Sequence, residues 1–295
     1  MHSAATSPDP SLVRRLVAAQ FPRWAGLPVV PVDSAGTANA MFRLGADLVV
    51  RLPRTEGAAR DIGKEHTWLP RLAPLLPVPV PAPLVKGAPG AGHPWEWSVS
   101  RWLDGAHPWP GRATAPGTGP DALARDLAAF VTALHRADPA DGPPSYRAEP
   151  LAERDAVTRA ALAELREEVD TGAAAAVWEA ALEAPAHPGP PVWIHADLQP
   201  GNVLTARGRL SAVLDFGCLG LGDPAVDLIA AWYVLPAGAR PVLRSALGAD
   251  DAAWARGRGW ALSVALLELW AYRESNPVMA ATALHVIREV LAARS

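Results

Sequence analysis

Residues 105–120, rich in Gly, Pro and Thr, separate two stretches whose hydrophobic patterns have different periods. Before them apolar residues come in short runs bounded by turn residues; after them they recur at helical spacing. Val29–Val32 is a β-branched run whose Pro31 suits an edge strand. Residues 39–44 and 48–52 flank Gly45-Ala46-Asp47, a hairpin signal, and residues 97–102 supply a further strand. Residues 64–76 predict a helix with Trp68, Leu69, Leu72 and Leu76 on one face and a kink at Pro70. Residues 77–81 must be extended, because each residue before a proline is pushed out of the α region. Beyond the linker, residues 121–136 place Leu123, Leu127, Phe130, Val131 and Leu134 on one helical face. Residues 151–182 read as two helices broken near Gly172, and residues 224–234, 241–247, 252–272 and 277–293 as further helices. Short apolar strands at 192–194 and 210–214 flank a loop. The pattern predicts two unlike lobes, residues 1–103 rich in β structure and residues 104–295 mainly helical.

Half of the 295 residues are hydrophobic and 19% are charged, which suits packed cores and argues against disorder. A net charge of −3 gives no basic excess for nucleic acid or an anionic membrane. The single cysteine, Cys218, excludes an intramolecular disulfide and points to a reducing, cytoplasmic setting. Residues 1–11 hold no apolar signal core, and the apolar stretch 260–267 is broken by Ser263 and followed by Glu268, so no transmembrane span is expected. Charge is unevenly distributed: residues 1–103 carry net +4 and residues 104–295 net −7. Only Lys64 and Lys86 are lysines among 27 basic residues, so an arginine standing where chemistry often places a lysine is a compositional habit of this chain.

The chemistry concentrates in Ile194-His195-Ala196-Asp197-Leu198-Gln199-Pro200-Gly201-Asn202 and, after eleven intervening residues, in Leu214-Asp215-Phe216-Gly217. Asp197, Asn202 and Asp215 place oxygen donors on loops beside short apolar strands. A hard cation such as Mg²⁺ needs only one or two such protein oxygens besides waters and phosphates. That leaves one carboxylate to accept a proton from a hydroxyl, and phosphoryl transfer asks for little more than positioning and charge neutralisation.

The H-x-D-x-x-x-x-N spacing followed by D-F-G resembles the kinase catalytic loop and metal-binding motif. With Pro200-Gly201 before Asn202, then Gly222-Asp223-Pro224 and Asp227-Leu228, the segment resembles the aminoglycoside phosphotransferase family of antibiotic kinases. Where that family usually has Gly after the His and His before the Pro, this chain has Ala196 and Gln199; neither change removes a catalytic or metal-binding side chain. The resemblance implies an α+β, protein-kinase-like fold: a small antiparallel β lobe with one helix, a larger helical lobe, and a cleft between them. It also implies Asp197 as general base, Asn202 and Asp215 as Mg²⁺ ligands, and His195 and Asp227 as supports of the catalytic loop. Asp223 before Pro224 reads as a helix cap. Gly217, Gly220 and Gly222 mimic a dinucleotide loop but lack its βαβ setting and read as the turn after Asp215.

In the front lobe the resemblance assigns nucleotide binding to Ser34, Gly36 and Thr37, whose small side chains admit phosphates to backbone N–H groups. It also assigns Arg51, where a kinase has its phosphate-binding lysine, with Glu65 as its ion-pair partner, and the backbone of Arg101 and Leu103, facing the purine of ATP or GTP. Trp232, Trp270, Glu268 and Glu274 are candidates for the acceptor pocket. The expected reaction is Mg²⁺-dependent transfer of a γ-phosphoryl group to a small-molecule hydroxyl, with an aminoglycoside-type, cationic acceptor leading. Alternatives are a macrolide, a choline-like alcohol or a sugar as acceptor, or a catalytically dead nucleotide-binding module, a reading motivated by Arg51. Five residues between Gly217 and Asp223 leave no room for the long activation segment of a protein kinase.

Overall fold

In the computed structural model, which describes residues 8–33, 36–109 and 119–293, the chain divides into two units: residues 1–74 with 79–104, and residues 75–78 with 105–295. Among its described residues the first unit holds two α-helices, where the sequence pattern predicts one. The extra helix, α1 (Pro10–Gln20), is capped by Asp9, whose carboxylate accepts from the Leu12 N–H at 2.7 Å. Its apolar residues Val13, Leu16 and Val17 are too few to announce it by periodicity, yet they are fully buried. They pack on one face of an antiparallel sheet built from β1 (Val29–Pro31), β2 (Asn39–Leu44), β3 (Leu48–Pro53), β4 (Pro83–Gly87) and β5 (Trp97–Arg101), in the order β1-β2-β3-β5-β4. Pro31 lies on the edge strand, and Gly45 turns the β2–β3 hairpin at φ +64°. Side chains alternate across a strand. Phe42, Leu44, Val50, Leu52, Trp97 and Val99 therefore fill the α1 side, while Asn39, Arg51, Ser98 and Ser100 project to the other.

That second face meets α2 (Glu56–Leu72), which begins eight residues before the expected start because Thr55 caps it, accepting from the Ala58 N–H. Pro70 sits in its last turn, and the helix passes into a short 3₁₀ turn instead of continuing beyond a kink.

The second unit contains α3 (Pro120–His135), α4 (Asp155–Glu164), α5 (Thr171–Glu183), α6 (Ala230–Tyr233), α7 (Arg240–Leu247), α8 (Asp251–Tyr272) and α9 (Pro277–Ala292). The break between α4 and α5 falls at residues 165–170, where Asp170 caps the next helix, so Gly172 lies inside α5 and not at the break. Residues 224–229 are 3₁₀ rather than α. α8 buries residues around most of its circumference and packs against α5, α9 and α4. Two small ribbons carry the loops of interest: β6 (Val192–Ile194) with β9 (Gly220–Gly222), and β7 (Val203–Ala206) with β8 (Arg209–Val213). Gly220 is there for close packing: a Cβ at that position would come within 2.4 Å of the Ser145 backbone nitrogen. No described helix is long and apolar enough to cross a membrane.

Candidate active site

β6 delivers His195, and the hydrogen bonds of that residue organise the catalytic loop. Its Nδ1 accepts from the Asp197 N–H at 3.2 Å, which leaves the proton on Nε2; Nε2 in turn donates to the Leu214 carbonyl at 3.0 Å. The ring is fully buried between Phe130 and Phe216. With both nitrogens committed it is a brace, not a proton acceptor. Leu214 also donates its N–H to the Asn202 carbonyl at 2.8 Å. The residue before Asp215 is thus tied at once to His195 and to Asn202, which brings the D-F-G segment alongside the catalytic loop.

Asp227, 0% exposed, supports the loop from behind. Its two oxygens accept from the backbone N–H groups of Ala196 (2.7 Å) and His195 (3.2 Å), and His135 Nε2 lies 3.0 Å from Oδ2. Ala196 has φ +65°, a left-handed conformation that favours glycine and explains why glycine suits this position. His107 adds a further tie, its Nδ1 lying 3.1 Å from the Pro200 carbonyl and 3.2 Å from that of Val203.

The Asp197 carboxylate is held on both oxygens. Oδ1 accepts from Arg147 at 2.9 Å and from Gln199 Nε2 at 3.0 Å; Oδ2 accepts from Asn202 Nδ2 at 2.7 Å. Arg147 also donates to the Ala196 carbonyl. Burial works against the Arg147 charge, but Asp197, Cys218 and Glu268 outweigh it and hold the guanidinium protonated well above its ordinary range. Gln199 Nε2 donates as well to Glu268 Oε1, and Tyr233 donates its hydroxyl to Glu268 Oε2 at 2.8 Å. Burial, reinforced by the Asp197 charge, pushes the Glu268 carboxyl up to about 7, against the pull of Tyr233, Arg147 and Gln199. Burial and the Glu268 charge together raise the Tyr233 hydroxyl.

The sequence motifs therefore mark the centre of this cluster but not its frame. Arg147, Tyr233, His107 and His135 belong to no motif, and no local pattern marks them; Arg147 and His107 reach the loop directly, His135 through Asp227 and Tyr233 through Glu268. Of the acceptor candidates, Glu268 joins the cluster. Trp232 does not line a cleft: it is 1% exposed and packs its ring on Trp254, 4.9 Å between centroids. Trp270 and Glu274 are exposed.

The donor set fits Mg²⁺. Asn202 spends its Nδ2 on the Asp197 carbonyl (2.9 Å) and carboxylate, which reserves its Oδ1 for a cation. Asp215 stands next to it through Leu214, in a left-handed conformation with φ +53°, and accepts from the Gly217 N–H at 3.1 Å. Among the described residues no group of three His, Cys, Asp or Glu side chains is arranged to hold a metal. One amide and one carboxylate oxygen instead match a hard ion that takes its remaining ligands from phosphates and water.

In the first unit Arg51 Nη1 and Glu65 Oε2 lie 2.6 Å apart, both buried. The ion pair expected between β3 and α2 is present. On the same sheet face Asn39 Oδ1 and Ser100 Oγ are buried without hydrogen-bond partners among the described residues. His66 Nε2 lies 3.2 Å from Ser98 Oγ, and burial, aided by Lys86 and Arg51, lowers its pKa to about 4, so this ring is neutral. Gly36 and Thr37 are exposed between β1 and β2; Ser34 lies outside the described residues. Arg101 ends β5, and Leu103 follows where the chain leaves the sheet.

Residues 29–260 match the family model of the phosphotransferase enzyme family, APH. Solved structures share the fold. The GDP and kanamycin complex of APH(2")-IIIa superposes with a TM-score of 0.74 at 20% identity, over 94% of this chain and 97% of that one. Macrolide 2'-phosphotransferase MphH from Brachybacterium faecium gives 0.64 at 23% identity, over 95% and 97%. The gentamicin complex of APH(2")-IIa gives 0.63 at 16% identity, over 98% of each. No curated protein sequence matches the chain.

Proposed function

This chain belongs to the APH phosphotransferase enzyme family, and from that premise we propose that it transfers the γ-phosphoryl group of Mg·ATP or Mg·GTP to a hydroxyl of an aminoglycoside-type small molecule. The observation that carries this reading is the Asp197 carboxylate, fixed on both oxygens beside Asn202 and Asp215. Asp197 takes the proton of the attacking hydroxyl as phosphorus–oxygen bonding develops. Asn202 and Asp215 would hold Mg²⁺, which when bound would neutralise phosphate charge. His195, Asp227 and His107 keep the loop from moving while the proton transfers. Arg51, its fork steadied by Glu65, binds nucleotide phosphates; the replacement of lysine changes the donor geometry but not the charge. The unpartnered Asn39 and Ser100 oxygens on that face suit a polar ligand.

GDP appears with kanamycin on a structurally similar enzyme, and streptomycin with ATP on another, which supports both the nucleotide and the acceptor class. A second reading, a macrolide or another hydroxyl compound of low charge, is favoured by residues 153–170 before the catalytic loop, which carry six carboxylates. Two of these are already engaged within the protein: Asp155 binds Arg159 and the Trp178 indole, and Glu168 binds Arg273. Nucleoside-diphosphate release with Mg²⁺ and either ATP or GTP, measured over aminoglycosides, macrolides, choline-like alcohols and sugars, tests the proposal. Turnover of an aminoglycoside supports it, turnover confined to macrolides selects the second reading, and nucleotide binding with no acceptor-dependent turnover rejects both.

A further inference from the structure

The bonds around Asp197 distinguish its two oxygens. A carboxylate oxygen offers about two lone-pair sites. Among the described residues both on Oδ1 are taken, by Arg147 and Gln199, and only one on Oδ2, by Asn202. A hydroxyl proton therefore has a vacancy on Oδ2 alone. The arrangement depends on how the Gln199 amide is turned. With its NH₂ toward Asp197 it fills Oδ1; with its carbonyl there it would repel the carboxylate and release Oδ1. Gln199 itself carries nothing that fixes this choice, because the two amide orientations have nearly the same shape. The Asp197 charge favours the first orientation, and Glu268 reinforces it: its Oε1 accepts from the same Nε2, and Glu268 is fixed in turn by the Tyr233 hydroxyl on Oε2.

We propose that Glu268 and Tyr233 are positioning residues that act through Gln199 to assign the proton-accepting role to Asp197 Oδ2. This deepens the proposed function and rests on it. It also gives Glu268 a role in supporting the base in place of acceptor binding, since each of its oxygens already accepts a hydrogen bond from within the protein, from Gln199 and from Tyr233. The charged and titratable groups facing Glu268 are Asp197, Arg147 and Tyr233, contributed by the catalytic loop, the loop before α4, and α6.

The test uses the full chain and four substitutions: Glu268→Gln, Tyr233→Phe, Gln199→His and, as the reference for the last, Gln199→Leu. Glu268→Gln can donate as well as accept, so the Gln199 orientation is no longer enforced; kcat should fall about 10-fold or more, the scale of a misplaced catalytic group, while the acceptor KM stays within about twofold. Tyr233→Phe should lower kcat less. Gln199→His restores two ring N–H donors when protonated, so its kcat should exceed that of Gln199→Leu and rise toward lower pH. The bridge itself is read without turnover from the Gln199 side-chain amide resonances in the unliganded protein. They should move with a midpoint near pH 7 in the wild type and not in Glu268→Gln. An acceptor KM raised 10-fold at unchanged kcat in Glu268→Gln would return that residue to acceptor binding and overturn the proposal, as would wild-type kinetics in that variant. If the wild type phosphorylates no hydroxyl compound, the functional reading fails and the positioning role with it, and the amide resonances still distinguish that failure from absence of the bridge.

Discussion

Ala196 shows how much a single backbone angle explains. At φ +65° the Ala side chain costs roughly 1–2 kcal/mol of strain, which glycine would relieve. Glycine also loses a buried methyl, worth about 0.8 kcal/mol, and adds roughly 0.5–1 kcal/mol of unfolded-chain entropy. The terms nearly cancel, so Ala196→Gly should change stability by less than about 1 kcal/mol and leave kcat intact. Ala196→Val, β-branched and confined, should lose about 1–3 kcal/mol through overpacking, with further backbone strain, and lose turnover too. Denaturant unfolding of both variants checks the pair; a well-tolerated valine would contradict the strain at this angle. Glu268 gives a pH signature at the same scale. Its carboxyl titrates near 7 when folded against an ordinary 4.5, so between these values the folded state binds more protons than the unfolded one. Stability contributed by this group is therefore present below about pH 4.5 and lost as pH rises through 7. The stability of wild type relative to Glu268→Gln should fall across that window and level off above pH 8; a difference that rises with pH would contradict the assignment.

Between elements, the joint to test is β3 to α2. Arg51 and Glu65 are 6% and 2% exposed, so removing one partner strands a buried charge. Arg51→Ala should cost about 3–5 kcal/mol of stability and weaken nucleotide binding and kcat together, whereas Arg51→Lys should keep substantial activity. Calorimetric unfolding and nucleotide titration of both variants decide it; a stable Arg51→Ala that binds nucleotide normally would remove Arg51 from the phosphate site. Element by element, legibility in the sequence tracks the strength of local signals. The β2–β3 hairpin is readable because Gly45 and its flanking apolar runs are contiguous, and α3 because five apolar residues repeat on one face. α1 escapes because three buried residues on a polar helix make a weak pattern. β7 and β9 escape because each is defined by its partner strand, β8 and β6, more than by its own residues. The start of α2 is misjudged because the apolar face beyond the Thr55 cap is a stronger signal than the cap itself.

For the molecule as a whole, the candidate catalytic and metal-binding residues Asp197, Asn202 and Asp215 are legible because phosphoryl transfer requires such groups at short, fixed spacings. Their frame is not, since Arg147, Tyr233 and Glu268 come together only through tertiary packing. The acidic balance of residues 104–295 is legible as a number but not as a surface: several of those carboxylates are neutralised by neighbouring arginines. A cationic acceptor should nonetheless feel the remaining field, which salt screens beyond about 8 Å at physiological ionic strength. Its KM should rise with added salt at constant kcat, and a salt-independent KM would select the acceptor of low charge. In the proposed function, Asp197 is the base of an acceptor-dependent phosphoryl transfer. The most direct measurement compares wild type with Asp197→Asn, which keeps the shape of the side chain. Phosphate-ester product is followed by phosphorus NMR on the best acceptor, with nucleotide affinity measured in parallel. The expected product is an acceptor phosphomonoester whose rate of formation drops about 10²–10⁴-fold in the variant at nearly unchanged nucleotide affinity; equal rates in both proteins, or inorganic phosphate as the sole product of the wild type, would contradict that role.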